Sequence, residues 1–364
     1  MRCYGAMVWC CVLALVTGCG AEPVDRVGAI QQASTNARPA VIFDNDMDFD
    51  DTAALAYLAR LHKAGEIDLR LVSITNAGAG LPGRGIRHAR CLLDRFGIPD
   101  VPVVDSSTPG THPFPALLRF AIDLILFDLT SDCQASVAPS AVSSEQAIVD
   151  VLEGADRPVD ILVTGNITNV AAALDLAEAQ NRNIDGGIGR VWFQGGAIGP
   201  TAGGLCCGLE AIYDQTQTFN VWADQLSAQA VLDALHANEV TLVGGNATRN
   251  VPIRSEYVAE LLAEADTPEA SWVASVVSHP VLQGAIAQGL PVFWWDPLAA
   301  IALTRPGVVA YDNKRMTILV EEGPAVGRSV EVGPQEDGSY VRFATDADSG
   351  AFEALFLEGL NTPL

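Results

Sequence analysis

The residues best suited to chemistry lie together near the start of the chain, in the run Asp44-Asn45-Asp46-Met47-Asp48-Phe49-Asp50-Asp51. Five carboxylates so close in sequence are costly, because like charges a few ångströms apart oppose one another's ionisation. A multivalent cation removes that cost, and hard cations such as calcium prefer carboxylate oxygens. The run follows an apolar segment, Val41-Ile42-Phe43, and precedes Thr52-Ala53-Ala54-Leu55-Ala56-Tyr57-Leu58-Ala59, which reads as a helix. The expectation is a metal-binding turn between a strand and a helix. An EF-hand loop does not fit, since its sixth position would be Phe49 rather than glycine and its twelfth Leu55 rather than glutamate.

The elements that would position this turn follow in a regular alternation. Apolar residues at 54, 55, 58 and 61 keep helical spacing up to Gly65. Residues 69 to 75 read as a buried strand, 84 to 96 as a helix and 101 to 104 as a short strand. Residues 106 to 144 contain Pro109, Pro113, Pro115 and Pro139 and read as an irregular excursion, either overhanging a pocket or purely structural. The alternation resumes with a helix over 145 to 153, a strand over 159 to 163, a helix over 170 to 179 and a strand over 191 to 194. A Gly-rich loop (199 to 208), a helix over 227 to 237 and a strand over 240 to 243 come next. Helices dominate 255 to 288, and another opens at Trp294. The tail segments 316 to 320 and 330 to 343 read as antiparallel strands, the second folding back at Asp337-Gly338.

This pattern predicts an α/β fold, a mostly parallel central sheet with helices on both faces, arranged as a Rossmann-like open sheet. Ligands of such sheets bind beyond the carboxyl ends of the strands. Three polar turns fall there: residues 44 to 51, Thr164-Gly165-Asn166-Ile167-Thr168-Asn169, and Gln194-Gly195-Gly196-Ala197. Asp296 heads a late helix, where the helix N-terminus favours a carboxylate. Asn169 reads equally as a helix cap before Val170.

The ends and the composition bound the setting. Residues 1 to 18 read as a signal peptide, with a positive start at Met1-Arg2 and an apolar stretch too short to span a bilayer. Val16-Thr17-Gly18-Cys19 resembles a bacterial lipobox, which implies cleavage before Cys19 and lipid attachment to its sulfur. An ordinary signal peptide is the alternative. Residues 19 to 39 are polar and aperiodic, a tether, and residues 40 to 364 read as one domain. The expected location is the bacterial cell envelope, with Cys19 as the only membrane attachment. A formal net charge of -23 argues against nucleic-acid or anionic-membrane partners at the protein surface. Outside the export segment stand Cys91, Cys133, Cys206 and Cys207, in no zinc pattern. An exported protein could pair some of these; adjacent Cys206 and Cys207 cannot easily bond to each other without strain, so Cys133 is one candidate partner for them, and the pairing of the four stays open. His62, His88, His112, His236 and His279 show no ligand spacing and read as surface or core residues.

Four blocks in order resemble the inosine/uridine-preferring nucleoside hydrolase family over nearly all of residues 40 to 310. They are Asp44, Asp46, Asp50 and Asp51; Thr164-Gly165-Asn166-Ile167-Thr168-Asn169; Gln194-Gly195-Gly196 with Thr218-Phe219-Asn220 and Asp224; and Trp295-Asp296-Pro297-Leu298-Ala299. The resemblance implies a nucleoside hydrolase-like domain that splits the N-glycosidic bond of ribonucleosides into ribose and free base. It implies a calcium ion held by Asp46, both oxygens of Asp51, the Thr164 carbonyl and Asp296. Asp46 would be the general base on a water, with Asp50, Gln194, Asn220 and Trp295 binding the nucleoside. Such residue types suit an oxocarbenium-like ribosyl cation, which calls for an electronegative site that grips the sugar hydroxyls. The oligomeric state is left open, a homo-oligomer being one outcome.

The chain departs from the family pattern at four places. Trp295 stands where many members have a histidine that can protonate the leaving base; a purine-preferring branch also has tryptophan there, which favours purine nucleosides. Thr218 replaces a glutamate, Ala79 replaces an asparagine ribose ligand for which Asn76 is the nearby substitute, and Asp48 replaces a glycine. Two other functions fit parts of the pattern: a non-catalytic nucleoside- or ribose-binding lipoprotein, and a haloacid dehalogenase-type phosphatase built on Asp44 and Asp46.

Overall fold

A computed structural model of the chain describes residues 38–106, 108–112, 114–199, 216–235 and 239–364. The expected signal peptide, Cys19, nearly all of the tether, Cys206, Cys207 and His236 lie outside them. The chain runs β1 (Ala40–Asn45), α1 (Phe49–Ala64), β2 (Asp68–Ile74), α2 (Gly85–Arg95), β3 (Val103–Asp105), α3 (Ala116–Thr130), α4 (Ser144–Glu153), β4 (Val159–Val163), α5 (Thr168–Ala179) and β5 (Ile188–Phe193). It continues α6 (Phe219–Ala223), α7 (Gln225–Ala234), β6 (Val240–Leu242), α8 (Gly245–Thr248), α9 (Ser255–Ala263), α10 (Pro268–Val277), α11 (Pro280–Ala287) and α12 (Trp295–Thr304). It ends with β7 (Val309–Ile318), β8 (Ser329–Glu331), β9 (Ser339–Ala347) and α13 (Ser349–Asn361).

The strands form one sheet in the order β3-β2-β1-β4-β5-β6-β9-β7-β8. From β3 to β6 every pairing is parallel, and β9 continues in parallel from β6. The pairings of β7 with β8 and β9 are antiparallel. The mostly parallel α/β architecture read from the sequence is therefore present. Chain order runs outward in one direction from β1 and in the other from β4, so the topological switch point lies between these two strands. Their carboxyl ends carry Asp44 to Asp51 and Thr164.

Each face of the sheet carries its own core, and β1 feeds both by simple alternation. Val41 and Phe43 join the cluster that contains α1, α10, α12 and α13. Ala40 and Ile42 join the cluster under α4, α5 and α7. Helix α1 is buried from Phe49 through Leu61, so it cannot be amphipathic in the ordinary sense. It packs against α10, α12 and α13 as well as the sheet side. Its N-terminus is closed by a capping box: the Asp48 side chain accepts from the first turn, and the Asp51 carboxylate accepts the Asp48 N–H at 2.8 Å. Gly65 ends it in the left-handed conformation, φ 75°.

Three features of the fold differ from the sequence reading. The excursion contains a fifteen-residue helix, α3, whose nearly uniform apolar composition shows no helical period. The two tail segments pair antiparallel as read, but the second does not fold back onto itself at Asp337-Gly338; its two strands, β8 and β9, both pair with β7, which lies between them. Cys133 is bonded to Cys91 of α2, S–S 2.05 Å, rather than to Cys206 or Cys207.

The disulfide joins α2 to the segment just after α3. His88 on α2 reinforces that link, meeting Thr130 at 2.9 Å and Asp123 at 3.2 Å, and Arg84 pairs with Asp123. Replacing both Cys91 and Cys133 with serine should lower the unfolding free energy by about 2–4 kcal/mol, read by urea titration. Reductant should bring the wild type to the same value; unchanged midpoints in both experiments would refute the bond.

Candidate active site

The acidic run leaves β1 and enters α1 with almost every polar atom in use. Met47 sits in the left-handed region, φ 58°, a conformation that costs a non-glycine residue energy and often accompanies functional turns. The Asn45 side-chain oxygen helps hold it by accepting the Met47 N–H at 3.1 Å. Asp51 accepts the N–H of Asp46 (3.2 Å) and of Asp48 (2.8 Å) on one oxygen, and the Thr164 hydroxyl (2.5 Å) on the other. That last bond crosses the switch point from α1 to the end of β4.

Asp46 faces the loop after β2. Its Oδ2 accepts the Ala79 N–H at 2.6 Å, and its carbonyl accepts the Gly80 N–H at 2.7 Å. The approach is so close that a Cβ on Gly78 would lie 1.8 Å from Asp46 Oδ2, which makes glycine obligatory there. Asp50 Oδ2 accepts the backbone N–H of Asp296 at 3.2 Å. The carboxyls also pair side chain to side chain, Asp46 with Asp51 and Asp50 with Asp296. Asp46, Asp50, Asp51, Thr164, Gln194 and Asp296 are all buried.

The second half of the site comes from β4, β5 and α6. The Asn220 amide donates to the Thr164 carbonyl at 2.5 Å, the Gln194 carbonyl at 3.0 Å and Gln194 Oε1 at 2.7 Å. Asp224 caps α7 and collects the hydroxyls of Thr168 (2.5 Å) and Thr111 (2.8 Å), which ties the excursion to the site. Thr218 accepts the Gly196 N–H at 2.8 Å. At the head of α12 the two tryptophans divide their tasks. Trp294 is fully buried, packed with Tyr257, Phe352 and Phe356. Trp295 is only half-buried and meets Phe49 and Phe293 edge-on at 6.4 and 5.6 Å.

The structure thus brings together Asp46, Asp50, Asp51 and Asp296, and joins Thr164, Gln194 and Asn220. Several residues have roles the sequence did not reveal. Asp48 is the cap of α1. Asp44 is held by Asn169, whose Nδ2 donates to it at 2.7 Å from within α5, so Asn169 is not a helix cap. Asn76 is spent on Asp105 and Ser106, at 2.7 and 2.6 Å, and does not replace the missing asparagine. Ala79 is instead roofed by Phe114 and Ile122 of the excursion. Arg119 of α3, which the sequence did not single out, bears a positive charge that acts on Asp46. No periodic or motif signal marks it within an apolar helix.

Burial, and then the charge of neighbouring carboxylates, holds Asp46, Asp50 and Asp296 well above the usual carboxylate range. Burial pushes Asp44 and Asp48 up to about 7 and Asp51 up to about 6. Among the described residues no group of three or more His, Cys, Asp or Glu side chains closes a metal cage; the four carboxyls stand in two facing pairs. Buried carboxyls whose ionisation is this strongly opposed, next to Thr164, nevertheless present all-oxygen donors that fit a hard cation.

Residues 41–354 match the family described as inosine-uridine preferring nucleoside hydrolase. A pyrimidine-specific ribonucleoside hydrolase RihA from Shewanella sp. (strain ANA-3) is 27% identical over 66% of this chain and 69% of its own length. The inosine-uridine preferring nucleoside hydrolase of Bacillus anthracis superposes with a TM-score of 0.73 at 22% identity, covering 88% of this chain and 99% of that one. A purine-preferring ribonucleoside hydrolase from Gardnerella vaginalis gives 0.69 at 21% identity, covering 88% and 98%. The chain is a hydrolase acting on N-glycosidic bonds. It belongs to the inosine-uridine preferring nucleoside hydrolase family, whose members are generally metal-dependent.

The raised carboxyl pKa values have a consequence for stability. These groups bind protons in the folded state at pH values where the unfolded chain has released them, so folding stability falls as pH rises from about 4 through 6 to 7. In chelator, the thermal midpoint should be lower at pH 8 than at pH 5, and an added divalent cation that binds the cluster should raise it more at pH 8. A midpoint that climbs over that interval in chelator would contradict the proton-held cluster.

Proposed function

We propose that this chain hydrolyses ribonucleosides to ribose and free base with calcium as its ion, and that purine nucleosides are favoured. The observation that carries the reading is the meeting of Asp46, Asp51 and Asp296 with Thr164, whose hydroxyl reaches Asp51, at the switch point. These four would hold the cation, which when bound supplies charge that orients and acidifies a water. Asp46, fixed through Oδ2 by the Ala79 N–H, takes the water proton as general base. Asp50, Gln194 and Asn220 grip the sugar hydroxyls, and the cluster's negative charge favours the ribosyl cation as the C1′–N bond lengthens. The purine preference rests on Trp295, whose half-exposed ring at the head of α12 offers a stacking face. A pyrimidine preference is the second reading, carried by the relatives named as pyrimidine-specific.

Export and lipid attachment at Cys19 belong to the same proposal. The disulfide supports the oxidising setting. Labelling with a radioactive fatty acid, present in the full chain and absent in Cys19→Ala, tests the anchor.

Base release from inosine, adenosine and uridine, followed with and without chelator, tests the activity. Asp46→Ala should lose on the order of a thousandfold in kcat, and chelator should abolish turnover until calcium is restored. Trp295→Ala should lower kcat/KM for inosine by about tenfold more than for uridine, in the range of an aromatic contact. Tight nucleoside binding without base release would replace the enzyme by a binding module.

A further inference from the structure

Cleavage of an N-glycosidic bond creates charge at two places. The sugar becomes cationic over the carboxylate floor, while the bonding pair moves onto the base, which departs as an anion unless something neutralises it. The chain has Trp295, and not an acid, immediately before Asp296, and an indole N–H does not give up a proton near neutral pH. The described histidines are all engaged elsewhere. His62 accepts the Leu69 N–H, His88 lies between Thr130 and Asp123, and His279 caps α11. His112 is stacked on Trp222 with its two ring nitrogens on the Trp222 carbonyl and Glu322.

One cation does reach the cluster. Arg119 extends from the first turn of α3, and its Nη2 is anchored by the Asn76 carbonyl at 2.7 Å. Its guanidinium lies 6.0 Å from the centre of the Phe114 ring, and Phe114 in turn packs on Phe219 at 4.1 Å, next to Asn220. Its charge is felt by Asp46. Its Nε is buried and has no hydrogen-bond partner among the described residues. The Phe114 ring it lies over belongs, with Ile122, to the apolar roof packed on Ala79, whose N–H serves Asp46.

We propose that Arg119 contacts the departing base and neutralises the negative charge that builds on it. The inference rests on the hydrolase reading above. Water adds its oxygen to C1′ and passes a proton to Asp46. The C1′–N bond breaks with its electron pair going to the base, whose anionic acceptors take hydrogen bonds from the guanidinium. The base is then protonated by solvent. Arginine keeps its own proton throughout, as its high pKa requires. The Arg119 Nε is itself buried, so a charge-assisted bond there counts for more than it would in solution.

The test compares leaving groups that need help with one that does not. Arg119→Gln and Arg119→Lys are assayed with inosine, uridine and p-nitrophenyl β-D-ribofuranoside, whose phenolate is already a stable anion. Arg119→Gln should cut kcat for the nucleosides on the order of a hundredfold while changing the nitrophenyl riboside less than about threefold. Arg119→Lys should recover part of the loss. Equal losses on all three substrates would mean that Arg119 only holds the roof, and no loss on the nucleosides would mean that it makes no contact; either result overturns the proposal. If the wild type cleaves nothing, the hydrolase reading falls by itself. Equilibrium binding then decides the contact: Arg119→Gln should weaken hypoxanthine and uracil about tenfold and leave free ribose unchanged, and equal or absent effects refute it.

Discussion

The constraint on which this structure turns is the burial of like charges. Asp44, Asp46, Asp50, Asp51 and Asp296 are removed from water around the ends of β1 and β4, where each raises the cost of ionising the next. Without a cation, protons shared between facing carboxyls are the remaining way to keep the cluster neutral. The surrounding fold supplies what it can. Backbone N–H groups of residues 46, 48, 79 and 296 all point at carboxylate oxygens, and the Thr164 hydroxyl adds another donor. Those donors fix the directions of the Asp46, Asp50 and Asp51 side chains before any ligand arrives, which is the preorganisation that hydrolysis through a charged transition state needs.

Much of the local architecture follows from that arrangement. Asp51 is at once the third helical residue in the capping box of α1 and the bridge to β4, so the helix cannot shift without breaking the link across the switch point. The strained Met47 and the obligatory Gly78 have the same origin, since both let the chain pass close to Asp46. Helix α1 is buried along most of its length for a related reason. Surrounded by α10, α12 and α13, it brings Asp296 from the far end of the sequence to face Asp50.

The sequence made the parallel sheet and the position of the acidic turn readable because both rest on local signals. Alternating apolar strands and helices persist over two hundred residues, and an acidic run between a strand and a helix has few other uses. Long-range contacts were less accessible. Asp48 and Asp44 looked like members of the same set as Asp46, and only packing separates a cap and an Asn169 partner from a ligand. The C-terminal helix α13 and the insertion of β7 between β8 and β9 depend on which edge remained free, which no local pattern encodes. The pairing of Cys91 with Cys133 likewise follows from α2 lying beside the end of α3.

The excursion gives the acidic floor a roof of its own kind. At Ala79 the backbone N–H serves Asp46, while a side chain long enough to reach a sugar hydroxyl is absent and Phe114 and Ile122 fill the space. Asn76 does not supply a polar group in its stead, being committed to Asp105 and Ser106. What the excursion adds in exchange is apolar surface and one guanidinium, held in place by α2 through the disulfide and the Arg84, His88 and Asp123 contacts. The proposed Arg119 contact shifts recognition in this chain from the sugar toward the group that leaves. A roof fastened covalently to the scaffold can keep a cation above buried carboxylates without collapsing onto them, because the Asn76 carbonyl and the aromatic rings fix its guanidinium at a distance set by the fold.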